Sequence, residues 1–216
     1  MEKLLIPFIT LKATFTGILL RYGFPPEKAE KCASVFAESS LDGVYSHGAN
    51  RFPRFIRYVQ KGYVLPDAEP SLLHRFGILE QWNGNLGPGP LNAFFSADRA
   101  MALATEHGMG LVGLANTNHW MRGGTYGWYA ARNGYFFIGW TNTTPNMPAW
   151  GGKDPRLGNN PFVMAVPYGE SALVLDMALS QYSFGKMEEK QLSGEKLPTP
   201  GGYDRATAVR RRGGRI

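Results

Sequence analysis

The chain of 216 residues is 44% apolar and 19% charged, a composition typical of a globular protein with a substantial buried core. No apolar run reaches the ~18 residues of a transmembrane helix. Glu2 and Lys3 precede only a short apolar run, which makes a poor secretory signal. The single cysteine, Cys32, excludes an intrachain disulfide framework and fits a reducing compartment, so we expect a cytoplasmic protein.

The net charge of +6 is concentrated at one end of the sequence. Five arginines and no acid lie within residues 205–216, so the rest of the chain carries only +1. We therefore interpret 205–216 as a solvated Arg/Gly tail, disordered or out of frame, and we expect neither a nucleic-acid nor a membrane partner. An RNA-binding Arg/Gly arm is the alternative interpretation of the tail.

Two amphipathic helices are predicted in the first 43 residues. Thr10 can cap the first helix, and Gly23 is suited to end it. Pro25-Pro26 opens the second helix, which extends to about residues 40–43. Cys32 falls on the apolar stripe of this helix and is expected to be a core residue.

A third helix follows a short polar stretch. Its apolar residues recur at i, i+3, i+4 and i+7 from Phe52 onward, the spacing of one helix face. Pro53 has no N–H and must therefore lie in the first turn. The helix is expected to begin close to Ala49–Asn50, which would put His47 at or just before its N-terminus.

The remaining pattern alternates between strands and helices after a Pro-containing linker. The predicted strands are 71–76, 78–83, 110–116, 135–142, 162–167 and 172–177, and the predicted helices are 91–107, 125–132 and 180–191. This order predicts an α/β protein with a helical N-terminal subdomain over 1–70 and a mixed α/β sheet domain over 71–204. The tail at 205–216 stands apart.

The polar stretch between the second and third helices concentrates groups that could carry chemistry. Ser46 can orient the ring of His47, and Gly48 leaves the backbone open beside it. Arg51 is four residues further on and suited to bind a carboxylate. A histidine titrates near neutrality and can transfer one proton per turnover. A loop histidine in a purely structural turn remains the alternative.

The other histidines and glycines have simpler explanations. His107 precedes Gly108 at a predicted helix C-terminus, and His74 lies in an alternating strand. The four histidines lack the spacing of a metal site, so we expect no metal. Residues 108–113 match G-x-G-x-x-G, but they follow a helix and enter a strand, the reverse of the dinucleotide-binding order.

Polar residues also follow two of the predicted strands. The first set, 116–124, includes Asn118, His119 and Arg122 and ends in two glycines. The second set begins at Thr141 and Asn142. Polar groups at the carboxyl ends of strands commonly face a ligand crevice, although a structural turn is an open alternative for the first set.

These stretches together, in this order, resemble the malate/L-lactate dehydrogenase family, which lacks a Rossmann fold. The resemblance is carried by Gly43–Ile56, Asn118–Trp128, Trp140–Asn142 and Leu157–Pro161, and it covers about residues 8–204. It implies reduction of a 2-oxo acid by NADH or NADPH, or the reverse oxidation. It also implies a homodimer and a distinctive α/β cofactor-binding domain.

The resemblance also implies roles for individual residues. His47 corresponds to the catalytic proton donor and His119 to a second histidine facing the substrate. The residues expected to contact substrate are Ser46, Arg51, Asn118 and Arg122. Those expected to contact the cofactor are Thr141, Asn142, Ala172, Leu173, Val174, Leu175, Asp176, Met177 and Ala178. Asp176 suits a ribose hydroxyl, and a structural cap is its alternative role.

Two departures from the family pattern bear on activity. Asn159 stands where many members have threonine. Members also run far longer, and the similarity stops after Asp204, so we expect a truncation or a frameshift that begins at Arg205. The alternatives to a 2-oxo acid reductase acting on a sugar acid are a malate- or lactate-type dehydrogenase of the same family and an inactive remnant that binds ligand.

Overall fold

The computed structural model describes residues 5–149, 152 and 154–199. Its elements are α1 Phe8–Arg21, α2 Pro26–Leu41, α3 Phe52–Gln60, β1 Ser71–Phe76, β2 Leu79–Asn83, α4 Gly89–His107, β3 Leu111–Ala115, α5 Gly124–Arg132, β4 Phe137–Trp140, β5 Phe162–Tyr168, β6 Ser171–Met177 and α6 Phe184–Ser193. The predicted α/β architecture is confirmed. The domain limits at 70 and 204 stay predictions, and the tail at 205–216 lies outside the described residues.

Several helix starts differ from the sequence prediction: α4 begins at Gly89 and not at 91, and α6 begins at Phe184 and not near 180. α1 begins at Phe8 with Pro7 before it, so Thr10 lies inside the first turn and is not the cap. α3 begins at Phe52, later than Ala49–Asn50, because consecutive turns occupy the preceding residues. In these turns the N–H of His47 donates to the carbonyl of Val44 over 3.0 Å. His47 therefore lies in a separate turn ahead of the helix.

The three N-terminal helices enclose an aromatic core. The rings of Phe15 and Phe52 stack with centroids 4.0 Å apart, and Phe36 meets Phe52 edge-on at 5.1 Å. Cys32 is fully buried in the same cluster, as the apolar stripe predicted. Met121, from the turn after β3, also belongs to this cluster. The helical core is thereby joined to the α/β part of the chain.

The described strands form two three-stranded sheets, whereas the sequence predicted one mixed sheet. In the first sheet, β2 pairs antiparallel with β1 and parallel with β3. In the second, β5 lies between β4 and β6 in an all-antiparallel order. The single-sheet prediction was wrong because strand pairing depends on register between distant segments, which period-2 alternation does not reveal.

The second sheet is covered by α5 on one face. Val163, Ala165 and Ala172 are buried on that side. Residues on the other face are at least a third exposed and apolar; they are Ile138, Trp140, Val166, Leu173 and Leu175. Successive side chains of these strands point to opposite faces, and both faces of this sheet are apolar.

The glycine-rich segment 108–113 has the structural role that its position predicted. Gly108 has a φ of 81° and ends α4 immediately after His107, while Gly113 lies within β3. His74 is exposed on β1, as expected for a surface strand. None of the helices within the described ranges is long and apolar enough to cross a membrane.

Gly48 provides a test of how the turns before α3 are held. A Cβ atom at this position would collide with Oγ of Ser40, and it would lie 2.8 Å from the Ser40 backbone nitrogen. The sequence suggested that Gly48 leaves the backbone open beside His47. The structure shows instead that Gly48 packs directly against α2.

We expect Gly48→Ala to lower the free energy of unfolding by about 1–3 kcal/mol, because a packed backbone must shift to admit a methyl group. Gly17→Ala is the matched control, since a Cβ there meets nothing within 4 Å and lies within α1. That variant should be neutral or stabilised by up to about 1 kcal/mol. Urea denaturation measures both, and equal stability of the two variants would contradict this account.

Candidate active site

One cavity of about 1160 Å³ gathers the sequence-predicted polar segments. The turns before α3 form one wall, and the segment after β3 forms another. The segment after β4 and the carboxyl end of β6 also line it, together with residues of α3, α4 and β3. The residues that the sequence nominated and that line this cavity are Ser46, His47, Arg51, Asn118, His119, Arg122, Thr141, Asn142, Asp176, Met177 and Ala178.

The two nominated histidines face each other across this cavity. The ring centroids of His47 and His119 are 5.6 Å apart, with an interplanar angle of 47°. Oγ of Ser46 lies 3.0 Å from Nδ1 of His47, so Ser46 orients that ring as predicted. The N–H of Met121 donates to Nδ1 of His119 over 2.9 Å. Both rings therefore have a fixed neighbour at Nδ1.

Burial and positive charge keep both rings neutral in the unliganded chain. Burial lowers the pKa of His47 to about 4, and the nearby Arg51 and Arg122 act in the same direction, while Asp176 opposes them. Burial also lowers the pKa of His119 to about 3, with Arg51, His47 and Arg54 adding to the effect. An anion that offsets Arg51 would raise both pKa values.

The two nominated arginines have different surroundings. Arg122 forms an ion pair with Asp42 at the end of α2, 80 residues away in sequence. Arg51 lies just before α3 and lines the cavity together with Arg54, one helical turn further on. Arg54 was not among the residues nominated from the sequence, although its spacing from Arg51 could have revealed it.

Asn118 and the segment after β4 contribute polar groups with structural contacts of their own. The side-chain amide of Asn118 donates to the carbonyl of Tyr63 over 2.6 Å, which ties the β3–α5 turn to the chain after α3.

Thr141 and Asn142 line the cavity beside Thr143. The backbone N–H of Thr143 donates to Oδ1 of Asn160 over 2.9 Å. This bond holds two loops together at the cavity.

Thr143 also explains how Asn159 fits into the site. Its hydroxyl donates to Oδ1 of Asn159 over 2.9 Å, and Asn159 itself lines the cavity. The sequence singled out Asn159 only as a departure from the family pattern. Its partner was not apparent because 16 residues separate the two side chains.

The nominated cofactor segment of β6 meets the cavity only at its carboxyl end. Asp176, Met177 and Ala178 line it. The earlier residues run away along the strand: Ala172 is buried beneath α5, Leu173 and Leu175 are exposed on the opposite face, and Val174 packs against the cluster around Ala172. The structure therefore brings only Asp176–Ala178 of this segment to the histidines.

Asp176 makes the contact of a helix cap. Its Oδ2 accepts a hydrogen bond from the N–H of Gly124, the first residue of α5, over 2.8 Å. A carboxylate at a helix N-terminus is stabilised by the unpaired N–H groups and the dipole there. The structure thus supports the cap alternative for Asp176 and places the same carboxylate at the edge of the cavity.

No group of three or more histidine, cysteine, aspartate or glutamate side chains that could hold a metal occurs among the described residues. The cavity is lined by two imidazoles, three guanidinium groups, a carboxylate and several hydroxyl and amide groups. Imidazoles can transfer protons or donate hydrogen bonds to a developing oxyanion, and guanidinium groups bind carboxylates. This set suits chemistry at a carbonyl next to a carboxylate.

Comparison with known proteins identifies the class to which this fold and cavity belong. Residues 6–211 match the malate/L-lactate dehydrogenase family. Malate dehydrogenase from Entamoeba histolytica has the same fold with a TM-score of 0.88 at 28% identity, over 92% of this chain and 55% of that one. Sulfolactate dehydrogenase from Methanocaldococcus jannaschii matches with a TM-score of 0.83 at 29% identity, over 98% of this chain and 65% of that one.

The chain therefore belongs to the malate/L-lactate dehydrogenase family, as its motifs predicted. Among its relatives is 2,3-diketo-L-gulonate reductase of Escherichia coli strain K12 / DH10B, which is 47% identical over 199 residues. The alignment covers 92% of this chain and 60% of that relative. The chain thus spans less than two thirds of the length of the curated relatives it matches.

The half-buried histidines His47 and His119 predict a loss of stability in mild acid. An unfolded histidine has a pKa of about 6.5, well above the values of about 4 and 3 for His47 and His119 in the fold. Between these values the unfolded state binds more protons, so the free energy of unfolding falls as the pH drops below about 6.5. We expect each histidine to account for about 2 kcal/mol of that loss by pH 5.

Urea denaturation at about pH 8, 6.5 and 5 measures this slope. The variant His74→Gln alters an exposed histidine and should keep the slope. A chain carrying both His47→Asn and His119→Asn should lose most of it. An undiminished slope in that double variant would contradict the assignment of the buried rings.

The cap formed by Asp176 gives a separate prediction. We expect Asp176→Ala to lower the free energy of unfolding by about 1–2 kcal/mol, because the first N–H of α5 loses its acceptor. Asp176→Asn keeps an acceptor oxygen and should lose less. Thermal unfolding checks both variants, and stability unchanged by Asp176→Ala would show that the contact contributes nothing to α5.

Proposed function

We propose that the protein is an oxidoreductase that transfers a hydride between a nicotinamide cofactor and the 2-carbon of a small 2-oxo or 2-hydroxy acid. The observation that carries this proposal is the pair His47 and His119, 5.6 Å apart in a cavity that Arg51 also lines. A carbonyl between two imidazoles can receive both a proton and a hydrogen bond. A guanidinium beside them suits the adjacent carboxylate.

In this proposal His47 delivers the proton to the substrate oxygen. With a pKa of about 4, the ring is neutral at neutral pH and lacks the second, acidic N–H proton of an imidazolium. The charge of Arg51 lowers the pKa of His47, and the substrate carboxylate would offset that charge. Asp176 already raises the pKa of His47. Binding of the anion therefore raises the pKa of His47 and favours uptake of the proton that the reaction consumes.

His119 and the remaining side chains hold the substrate and the developing charge. His119 donates a hydrogen bond to the same oxygen, which stabilises the developing alkoxide. Arg51 binds the carboxylate. Ser46 lies beside His47, and Asn118 and Arg122 line the same cavity. Arg122 is already paired with Asp42, so its contribution to substrate binding depends on sharing that charge.

NADH or NADPH is the proposed cofactor, and the cavity offers room for its nicotinamide end. The cavity volume of about 1160 Å³ exceeds the ~300–1,000 Å³ common for small-molecule sites. It is far larger than a small acid alone requires. Thr141, Asn142 and Asp176–Ala178 are the residues that would contact it. When bound, the reduced nicotinamide supplies the hydride.

The proposed substrate is 2,3-diketo-L-gulonate, by analogy with the relative of that name at 47% identity. The cavity segment after β4 is rich in hydroxyl and amide groups, which suits a polyhydroxylated acid. A malate- or lactate-type 2-hydroxy acid is the alternative within the family.

We further propose a cytoplasmic homodimer, and a single-chain mass in analytical ultracentrifugation would contradict the dimer.

A ligand-binding protein without turnover is the second candidate. The cavity could bind an anionic ligand through Arg51 without any hydride transfer. The two candidates differ in whether reduced cofactor is consumed.

We expect the purified chain to oxidise NADH or NADPH when offered 2,3-diketo-L-gulonate, with slower or no oxidation when offered simpler 2-oxo acids. His47→Asn should reduce turnover by about 10²–10⁴-fold because the proton donor is lost, while cofactor binding remains nearly intact. His74→Asn, on an exposed strand, is the matched control and should leave turnover unchanged.

Turnover is measured by the absorbance of the reduced nicotinamide, and cofactor binding by quenching of tryptophan fluorescence. A folded chain that binds acid but never oxidises the cofactor would support the second candidate. Full activity in His47→Asn would overturn the assignment of the proton donor.

A further inference from the structure

Met121 has an unusual backbone conformation beside the two histidines. Its φ is 68°, in the left-handed region that side chains other than glycine seldom adopt. The residue is only 3% exposed and belongs to the aromatic core of the N-terminal helices. Its conformation is therefore imposed by its surroundings, a circumstance that is common at functional sites.

This conformation directs the N–H of Met121 to His119. The donor lies 2.9 Å from Nδ1 of the imidazole. A nitrogen that accepts a hydrogen bond from a backbone amide must present a lone pair, so a neutral ring carries its proton on Nε2. The backbone at Met121 thus selects one of the two tautomers of His119.

Neighbouring contacts hold this segment in place from several sides. The hydroxyl of Tyr126 donates to the carbonyl of Trp120, and the two rings stack with centroids 5.7 Å apart. A Cβ atom at Gly89 would collide with the carbonyl oxygen of His119, so the start of α4 lies directly against the backbone of this segment. His119 and Met121 cannot shift independently of the helical core and of α4.

We propose that Met121 is a positioning residue: its left-handed backbone, anchored in the helical core, holds His119 as the Nε2–H tautomer. This inference rests on the proposed function for its catalytic meaning. A locked Nε2–H makes His119 a permanent hydrogen-bond donor. Protonating Nδ1 would require breaking the bond to Met121, so His119 polarises the substrate oxygen and His47 alone supplies the proton.

The direct test is the nitrogen NMR spectrum of the full chain labelled with ¹⁵N-histidine, recorded without ligand from about pH 8 to 5. The sequence contains only four histidines, and His119→Gln assigns the relevant signals. We expect His119 to show an unprotonated Nδ1 and a protonated Nε2 throughout this range. A protonated Nδ1, averaged signals or titration of the ring near neutrality would overturn the inference.

Variants at Met121 separate positioning from simple packing. Met121→Leu keeps the apolar anchor and should preserve the spectrum. Met121→Ala removes it and should raise the population of the Nδ1–H tautomer about tenfold. Met109→Ala, at an exposed methionine, is the matched control and should change nothing. A single unchanged tautomer in folded Met121→Ala would overturn the role of the anchor.

A second measurement on the unmodified chain covers the case in which Met121→Ala does not fold. The amide of Met121 should exchange with solvent at least about a hundredfold more slowly than an unprotected amide. Rapid exchange would overturn the inference. Neither the NMR spectrum nor the amide exchange requires substrate. A negative result in either would therefore not contradict the proposed hydride transfer, and an absence of turnover would not contradict the tautomer assignment.

Discussion

Partial burial of two imidazoles beside positive charge is the constraint on which the site depends. His47 comes from turns packed against α2, and His119 from a turn anchored in the same helical core through Met121. Both rings also lie near the positive charge of Arg51, which together with burial disfavours their protonation. The helical unit therefore carries one of the two rings and helps to hold the other.

Local features of the fold were readable from the sequence because their causes are local. Pro53 had to lie in a first turn, and Gly108 had to end a helix, since proline lacks an N–H and glycine tolerates positive φ. The start of α3 was misplaced because nothing at Ala49–Asn50 distinguishes a run of turns from a helix. The separation into two sheets depends on pairings between segments far apart in sequence.

The candidate site divides in the same way. Ser46, His47 and Arg51 could be nominated together because six residues contain them all. The pairing of Arg122 with Asp42 and the cap from Asp176 to Gly124 join residues 80 and 52 positions apart. No spacing rule predicts such contacts. What the sequence did supply was the position of polar groups after strands, and the segments after β3 and β4 both line the cavity.

The small residues between α5 and its sheet act as a spacer for the whole site. A Cβ atom at Gly127 would lie 3.0 Å from Val163 and 3.1 Å from Ala165, so the helix axis lies as near to the strands as backbone allows. That clearance sets the height of the first turn of α5, and with it the segment that carries His119. A methyl group added beneath the middle of the helix would press against Val163 and Ala165, and so disturb the support of the segment that carries His119, without touching any polar residue.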